Sequence, residues 1–195
     1  LHNLTLPYEK IDLDALEQLA VPRYRKLNHR NNLRVPHMLS CNYIVHLTKF
    51  QTLEADCIML NLEAGVSPED NPVALVLCAI FLSIHTECDK KLVVRVNALD
   101  DGGYEEITYL NQFMPDAIRV PKINNEGEVR NVLALLNDNI ELHLSIETAS
   151  AWSNLASLAV NRHVTTFYLG VLDLFADMKL PQNLINKDNP TMLLI

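Results

Sequence analysis

The sequence has few residues of the kinds that staple a small protein together. Its four cysteines show no CxxC spacing and no accompanying pair of histidines, and three of them lie in apolar runs, as buried thiols commonly do. A chain of this length buries roughly 70% of its unfolded surface, so no disulfide or metal staple is needed. We therefore expect a reducing, cytoplasmic setting.

Long apolar runs, broad positive patches and glycine-rich phosphate loops are also missing. The longest apolar stretch, residues 73–84, is too short to span a bilayer, so we expect no membrane partner. Net charge is −8, and we interpret the small basic cluster at residues 23–30 as a solvated surface, which argues against a nucleic-acid partner. No GxGxxG or GxxxxGK[ST] follows a predicted strand, so nothing supports nucleotide binding.

Apolar runs typical of buried strands alternate with segments of helical periodicity along most of the chain. The six predicted strands are residues 35–39, 57–62, 91–97, 117–122, 141–147 and 165–170. This alternation indicates a parallel sheet with right-handed crossovers, and therefore the α/β class. Both a doubly wound sheet and a barrel fit it. Residues 1–33 are polar and largely irregular, and we interpret them as an N-terminal arm.

Polar side chains stand where the predicted strands end. They are Glu63, Arg95, Asn97, Lys122, Glu147 and Asp173. In a barrel the functional residues lie at the C-terminal ends of several strands, so this set favours a TIM (β/α)8-type barrel over a doubly wound sheet. Only about six of the eight β-α units are present. We therefore predict an incomplete barrel over residues 34–195 and expect the domain to continue beyond Ile195 in the natural protein.

Two of these acids, Glu147 and Asp173, follow neighbouring strands and could hold one hard cation. Mg²⁺ commonly takes one or two protein carboxylates and leaves its other positions to water and substrate oxygens. Glu147 also has a simpler interpretation, as the cap of the helix that follows it. The residue pattern alone leaves both interpretations open.

Five short motifs occur in order over roughly residues 34–180. They are Asn-Leu-Glu-Ala-Gly-Val at 61–66 against D-L-E-D-x-V, Val-Arg-Val-Asn at 94–97 against V-R-V-N, Pro-Lys at 121–122 against P-K, Ile-Glu-Thr at 146–148 against I-E-T, and Gly-Val-Leu-Asp-Leu at 170–174 against G-x-x-D-L. In order and spacing they resemble the citrate lyase β-subunit group of the HpcH/HpaI aldolase superfamily, which also contains malyl-CoA lyases.

The resemblance implies a TIM barrel that cleaves or forms a carbon–carbon bond in a hydroxyacyl thioester. By position, it implies that Glu147 and Asp173 bind Mg²⁺ and that Arg95 is the catalytic, substrate-binding arginine. We interpret Glu63 and Asn97 as further residues of the substrate site, which orient Arg95 or the metal ligands. The expected partners are a small oxo or hydroxy acid, or its CoA or acyl-carrier thioester, and further copies of the chain in a homo-oligomer.

The motifs depart from the family pattern at four charged positions. Asn61 and Ala64 replace both aspartates of D-L-E-D, and Asn71 and Leu75 stand where the family has a lysine and an arginine. Losing both partners of a charge pair costs less than leaving one buried charge unpaired, so the four charges could have disappeared as one network. The alternative function is therefore a catalytically degraded homologue that serves as a binding or assembly subunit. A metal-dependent aldolase acting on free acids is a third possibility.

Overall fold

The structure, a computed structural model, describes residues 12–30 and 33–186. Its core is one parallel sheet whose strands are β1 (Pro36–Ser40), β2 (Cys57–Asn61), β3 (Lys91–Arg95), β4 (Ala117–Val120), β5 (Glu141–Ile146) and β6 (Val164–Leu169). The predicted arm at 1–33 and the predicted barrel range at 34–195 each include residues outside the described ranges.

The strands are ordered β1-β2-β3-β4-β5-β6 across the sheet, and every neighbouring pair is parallel. A doubly wound sheet reverses its strand order at a switch point, whereas a barrel adds each strand beside the previous one. The sequential order confirms the α/β prediction and the barrel-type topology. In the described part of the chain, β1 and β6 do not pair with each other, so the sheet is open.

Eight α-helices occur within the described residues. They are α1 (Leu13–Glu17), α2 (Ile44–Thr48), α3 (Asn71–Ile84), α4 (Tyr104–Asn111), α5 (Glu126–Leu133), α6 (Ala149–Ser153), α7 (Leu155–Leu158) and α8 (Val171–Asp177). The start of α3 follows from a proline in its first turn, where a missing N–H costs nothing. None of the helices over 12–30 and 33–186 is long and apolar enough to cross a membrane.

The sheet separates two apolar layers because successive strand residues point to opposite faces. Residues such as Ile58, Val94 and Leu144 pack outward under the helices in the main core. A smaller cluster on the other face, the inside of the curved sheet, contains Met59 and Val93. Every residue of β2, β3, β4 and β5 is buried, as expected for parallel strands covered on both sides.

The outer strands of the sheet are less protected than the inner four. Met38 on β1 is 44% exposed, and Phe167 and Leu169 on β6 are also partly open to solvent. Unpaired edges that carry apolar side chains are a liability for a soluble sheet.

The basic cluster near the N-terminus is not uniformly a solvated surface, so that interpretation is wrong for Arg25. This side chain is 2% exposed, and it donates hydrogen bonds from Nε to His85 O at 3.0 Å and from Nη1 to Met114 O at 2.6 Å. Burial lowers the pKa of the guanidinium. The two carbonyl acceptors compensate for the water that burial removes. Arg25 thereby ties the arm to the ends where β3 and β4 begin.

Candidate active site at the mouth of the sheet

The C-terminal ends of β2, β3 and β4 bring three polar side chains into register. Asn61 pairs with Arg95, and Arg95 pairs with Arg119. Residues at the same register of a parallel sheet point to the same face, so all three side chains turn toward the inside of the curved sheet. Glu147 follows directly after β5 and reaches the same region, which we call the mouth.

Arg95 links two of the predicted site acids. Its Nη2 lies 2.6 Å from Glu63 Oε2 and 3.6 Å from Glu147 Oε1. The same Glu63 oxygen accepts a hydrogen bond from Ala64 N at 2.7 Å, which fixes the carboxylate that holds Arg95. Nε of Arg95 is buried and has no hydrogen-bond partner among the described residues. The guanidinium is thus oriented, and the N–H of its Nε is uncommitted.

Glu147 is 3% exposed, and its two oxygens have different surroundings. Oε1 faces Arg95 and lies 4.0 Å from Nη2 of Arg119, whereas Oε2 is buried without a hydrogen-bond partner over the described ranges. Burial raises the pKa of this carboxyl, and Arg95 acts in the opposite direction. An ionised carboxylate here has one oxygen paired and one available to a ligand.

The alternative interpretation of Glu147 was as the cap of the helix that follows it, but Thr148 supplies that cap. Thr148 Oγ1 accepts a hydrogen bond from Ala151 N at 3.0 Å and so caps α6. Glu147 is therefore not needed as a cap. Its side chain instead lies against Gly170 at the end of β6, where an added Cβ would come within 3.0 Å of Glu147 Oε1 and closer still to Cγ.

Asp173 lies in the first turn of α8 and is exposed. Its carboxylate makes no hydrogen bond or ion pair with any other residue that the structure describes. Its charge is the smallest of the named causes that act on the pKa of Glu147. Contacts thus bring Glu63, Arg95 and Glu147 together at the mouth, whereas Asp173 is placed only by its position four residues after the end of β6.

Asn97 is held away from this group by a different acid. Its Nδ2 donates to Glu106 Oε1 at 2.6 Å and to Leu62 O at 3.2 Å, and its backbone N donates to Glu106 Oε2 at 2.8 Å. Asn71 donates a further bond to Glu106 at 2.9 Å. Burial raises the pKa of Glu106, and the amide donors act against that rise. No hydrogen bond joins the Asn97 side chain to Arg95 or Glu147 within the described residues, and its role in substrate binding stays a prediction.

Lys122 is exposed beside the mouth, with its backbone in the left-handed region at φ 55°. It lines a cleft of about 390 Å³ formed by the loops after β3, β4 and β5, together with Asp100, Tyr104, Asn124 and Thr148. Because Thr148 follows Glu147, the cleft adjoins the candidate site. It offers polar side chains of both charge signs to a bound group.

Three residues near the mouth were not predicted from the sequence: Arg119, Ser145 and Tyr168. Arg119 donates from Nε to Ser145 Oγ at 2.8 Å, and its Cζ lies 4.1 Å from the centre of the Tyr168 ring. Arg119 lies inside the run at 117–122 that predicts a buried strand, where a single charge does not by itself indicate a site residue. The available signal was its alternation: it stands two residues after the inward-facing Ala117, at a strand end.

The donor set at the mouth fits a hard cation with few protein ligands. Over residues 12–30 and 33–186, no group of three or more His, Cys, Asp or Glu side chains could hold a metal. Two carboxylates are nevertheless the number that Mg²⁺ often uses when substrate and water complete its sphere. The unpartnered Oε2 of Glu147 and the unpaired Asp173 suit that arrangement.

Comparison with known proteins agrees with this topology. Residues 39–188 match the family described as HpcH/HpaI aldolase/citrate lyase. A (3S)-malyl-CoA thioesterase of Cereibacter sphaeroides is 29% identical over 133 residues, which cover 68% of this chain and 46% of that protein. The chain therefore spans about half the length of the curated relatives that it matches.

Solved structures of similar fold include two from Mycobacterium tuberculosis. A citrate lyase beta subunit complexed with oxaloacetate and magnesium has a TM-score of 0.61 and 19% identity, covering 78% of this chain and 65% of its own. The protein CitE in complex with magnesium, acetoacetate and coenzyme A has a TM-score of 0.63 and 19% identity, covering 82% and 57%. At this identity the likeness establishes the fold alone.

Proposed function

Since the chain belongs to the HpcH/HpaI aldolase/citrate lyase family, we propose that it is a Mg²⁺-dependent carbon–carbon lyase acting on a carboxylate-bearing hydroxyacyl thioester such as citryl- or malyl-CoA. The proposal rests on Glu147, a buried carboxylate with Oε1 facing Arg95 and Oε2 without a partner in the described structure. Proteins of the same fold that carry magnesium with oxaloacetate or with coenzyme A give it further support.

The proposed cofactor would be held by Glu147 and Asp173. Bound there, Mg²⁺ would supply Lewis-acid polarisation of a substrate oxygen and stabilise negative charge. Arg95 has the complementary task of binding the substrate carboxylate through its uncommitted Nε, as part of a planar group that lysine could not reproduce. Glu63 fixes the direction of that fork through its 2.6 Å contact with Nη2.

A binding titration tests this site directly. Wild-type protein should bind Mg²⁺, and then oxaloacetate, with saturation in a calorimeter. Glu147→Gln and Asp173→Asn remove one charge each at nearly constant volume and should abolish binding of the cation. Glu126→Gln is the matched control, because Glu126 forms only an exposed i,i+4 pair with Arg130. Unchanged Mg²⁺ binding in both site variants would sink the assignment.

The segment at residues 61–64, which replaces the family's D-L-E-D, favours a second function. Asn61 Nδ2 donates to Ala64 O at 2.7 Å, and its Oδ1 is buried with no partner among the described residues. The family's aspartates are absent from both positions, which supports a binding or assembly subunit without turnover. The curated relatives named as thioesterases add the further alternative of hydrolysis.

Product analysis with malyl-CoA separates these functions. A lyase splits it into acetyl-CoA and glyoxylate, and a thioesterase adds water to give malate and free CoA. A binding subunit retains the thioester unchanged. Turnover that disappears in Arg95→Met would exclude the subunit interpretation. We also propose that residues 34–195 belong to one domain of barrel-type topology, which follows the arm at 1–33, and that the protein forms a homo-oligomer.

A further inference from the structure

A second guanidinium, that of Arg119, lies beside Glu147 and has no part in the function proposed above. Its Nη2 is 4.0 Å from Glu147 Oε1, and it makes no hydrogen bond within the described part of the chain. The side chain is 10% exposed, so it is neither on the open surface nor fully enclosed. One edge of Arg119 thus faces the mouth.

The other parts of Arg119 are held on three sides. Nε donates to Ser145 Oγ at 2.8 Å, Nη1 contacts Met59 Sδ at 3.1 Å, and Cζ lies 4.1 Å from the centre of the Tyr168 ring. Such a clamp removes most of the side-chain freedom before any ligand arrives. A preorganised group loses less entropy on binding than a mobile one, which favours recognition through the edge left over.

Tyr168 is itself held by side chains on the inner face of the sheet. Its hydroxyl lies 3.3 Å from Nδ1 of His143, whose Nε2 lies 3.3 Å from Glu141 Oε2. Glu141 and His143 are buried, and Tyr168 is half-buried. The aromatic platform under Arg119 therefore rests on a buried hydrogen-bonded chain. A guanidinium that only filled space would need no such support.

The charge balance of the mouth changes with Arg119. Glu63, Glu147 and Asp173 contribute three negative charges and the two arginines two positive ones, which leaves one net negative charge. A divalent cation turns this into one net positive charge, whereas the same set without Arg119 would be neutral. Arg95 and Arg119 also stand in register on adjacent strands, which lie about 4.8 Å apart in a sheet.

We infer that Arg119 is a specificity-determining residue, whose guanidinium recognises a second carboxylate so that this site prefers 2-oxo or 2-hydroxy dicarboxylates to monocarboxylates. The inference rests on the proposed function, since it places the acid at the same mouth. Two guanidinium groups on neighbouring strands suit two carboxylates of one small molecule, Arg119 through the N–H groups of Nη2 and Arg95 through that of Nε. A monocarboxylate uses only one of them.

The test compares oxaloacetate with pyruvate, which differ by one carboxylate, in saturating Mg²⁺. Wild-type protein should bind oxaloacetate more tightly. Arg119→Met, which keeps the length of the side chain, should weaken oxaloacetate binding about tenfold to a hundredfold, as expected for loss of a charge-assisted pair. Pyruvate binding should change less than about threefold, and Mg²⁺ binding alone should not weaken, because a nearby positive charge has been removed.

Each other outcome has a definite meaning. Equal weakening of both acids, or no weakening of either, overturns the inference while the proposed function stands. Weaker binding of Mg²⁺ as well shows a merely structural role and overturns it too. If wild-type protein binds neither acid, the proposed function fails first and the inference falls with it.

A second variant keeps the test decisive if Arg119→Met does not fold. Ser145→Ala removes the acceptor for Nε and keeps the charge of Arg119. It should lower the preference for oxaloacetate over pyruvate by about threefold to tenfold through loss of orientation alone. An unchanged preference in Ser145→Ala would overturn the inference. Circular dichroism and thermal unfolding of each variant provide the folding control.

Discussion

Nη2 of Arg95 lies 3.6 Å from Oε1 of Glu147, and both side chains are largely withdrawn from solvent. Arg95 is also the shared partner of two acids, because the same nitrogen lies 2.6 Å from Glu63. Breaking a buried ion pair from one side leaves the other charge uncompensated in a poor solvent, which costs more than removing both. The mouth is therefore a coupled unit, and substitutions in it should not act independently.

Arg95→Met is expected to lower the free energy of unfolding by about 2–4 kcal/mol, because it leaves Glu147 and Glu63 without their nearest cation. The double variant Arg95→Met with Glu147→Gln should recover part of that loss. Urea unfolding of the wild type, both single variants and the double variant gives the coupling free energy. A double variant whose loss equals the sum of the single losses would show that the pair is not coupled.

Gly170→Ala should disturb the site without changing any charge. Gly170 has an ordinary φ of −84°, so an alanine there strains no backbone, and the three atoms nearest to the added Cβ all belong to the Glu147 side chain. We expect a loss of about 1–3 kcal/mol in stability, as in other overpacked sites, together with weaker binding of Mg²⁺.

Gly127→Ala is the control for that experiment. Gly127 lies in α5, where an added Cβ would meet only the Asn125 side chain, at 3.0 Å. Alanine also has the higher helix propensity, so this variant should be nearly neutral or slightly stabilised. If both alanine variants bind Mg²⁺ as the wild type does, Glu147 does not need the space that Gly170 leaves.

The sequence was sufficient for the fold because the signals were repeated. Six apolar runs separated by helical periodicity determine a parallel sheet, and one-residue errors at their ends change nothing in the topology. Glu63, Arg95 and Glu147 could also be predicted as site residues, since each directly follows or ends a predicted strand. What the sequence could not show was which of two adjacent residues, Glu147 or Thr148, would cap the helix.

Other parts of the site depended on partners distant in sequence. Arg119 is 26 residues from Ser145, and only the register of β4 with β5 brings them together. Asn97 has the right position for a site residue, but Glu106 on α4 takes its amide hydrogens. Arg25 seemed solvated because its two carbonyl acceptors, on His85 and Met114, are far along the chain. Local patterns carry no record of such pairings.

Glu141, on the inner face of the sheet, leads to a prediction about the stability of the protein in acid. Burial acts to raise the pKa of this carboxyl, but hydrogen bonds from His143, Lys91 and Thr165 together hold it well below its usual range. A carboxyl with a depressed pKa in the folded state stabilises the protein at pH values above its unfolded pKa, and that contribution is lost as the pH falls through the folded value.

To isolate this contribution, the wild type is compared with the double variant Glu141→Gln with Lys91→Met. In the wild type Nζ of Lys91 lies 2.7 Å from the Glu141 carboxylate, so changing Glu141 alone would leave a buried lysine without its acidic partner. Wild-type stability relative to this double variant should be constant at neutral pH and should decline progressively below about pH 4.5, the usual value for glutamate. Denaturant unfolding between pH 7 and pH 3 measures it. A difference that grows toward low pH would contradict the sign of the shift.

Asn61→Asp asks whether the family's lost aspartate can be restored. Asn61 now donates from Nδ2 to Ala64 O at 2.7 Å, and its other oxygen is buried without a partner in the described structure. An aspartate would set a carboxylate oxygen against that carbonyl oxygen with no proton between them, at a fully buried position. We expect a loss of about 2 kcal/mol or more in the free energy of unfolding. Asn131→Asp, an exposed change of the same kind on α5, should cost less than about 0.5 kcal/mol. If Asn61→Asp is instead neutral and strengthens binding of Mg²⁺, the surroundings of the mouth still accept the family's acid, and the departure from D-L-E-D would no longer favour a subunit without turnover.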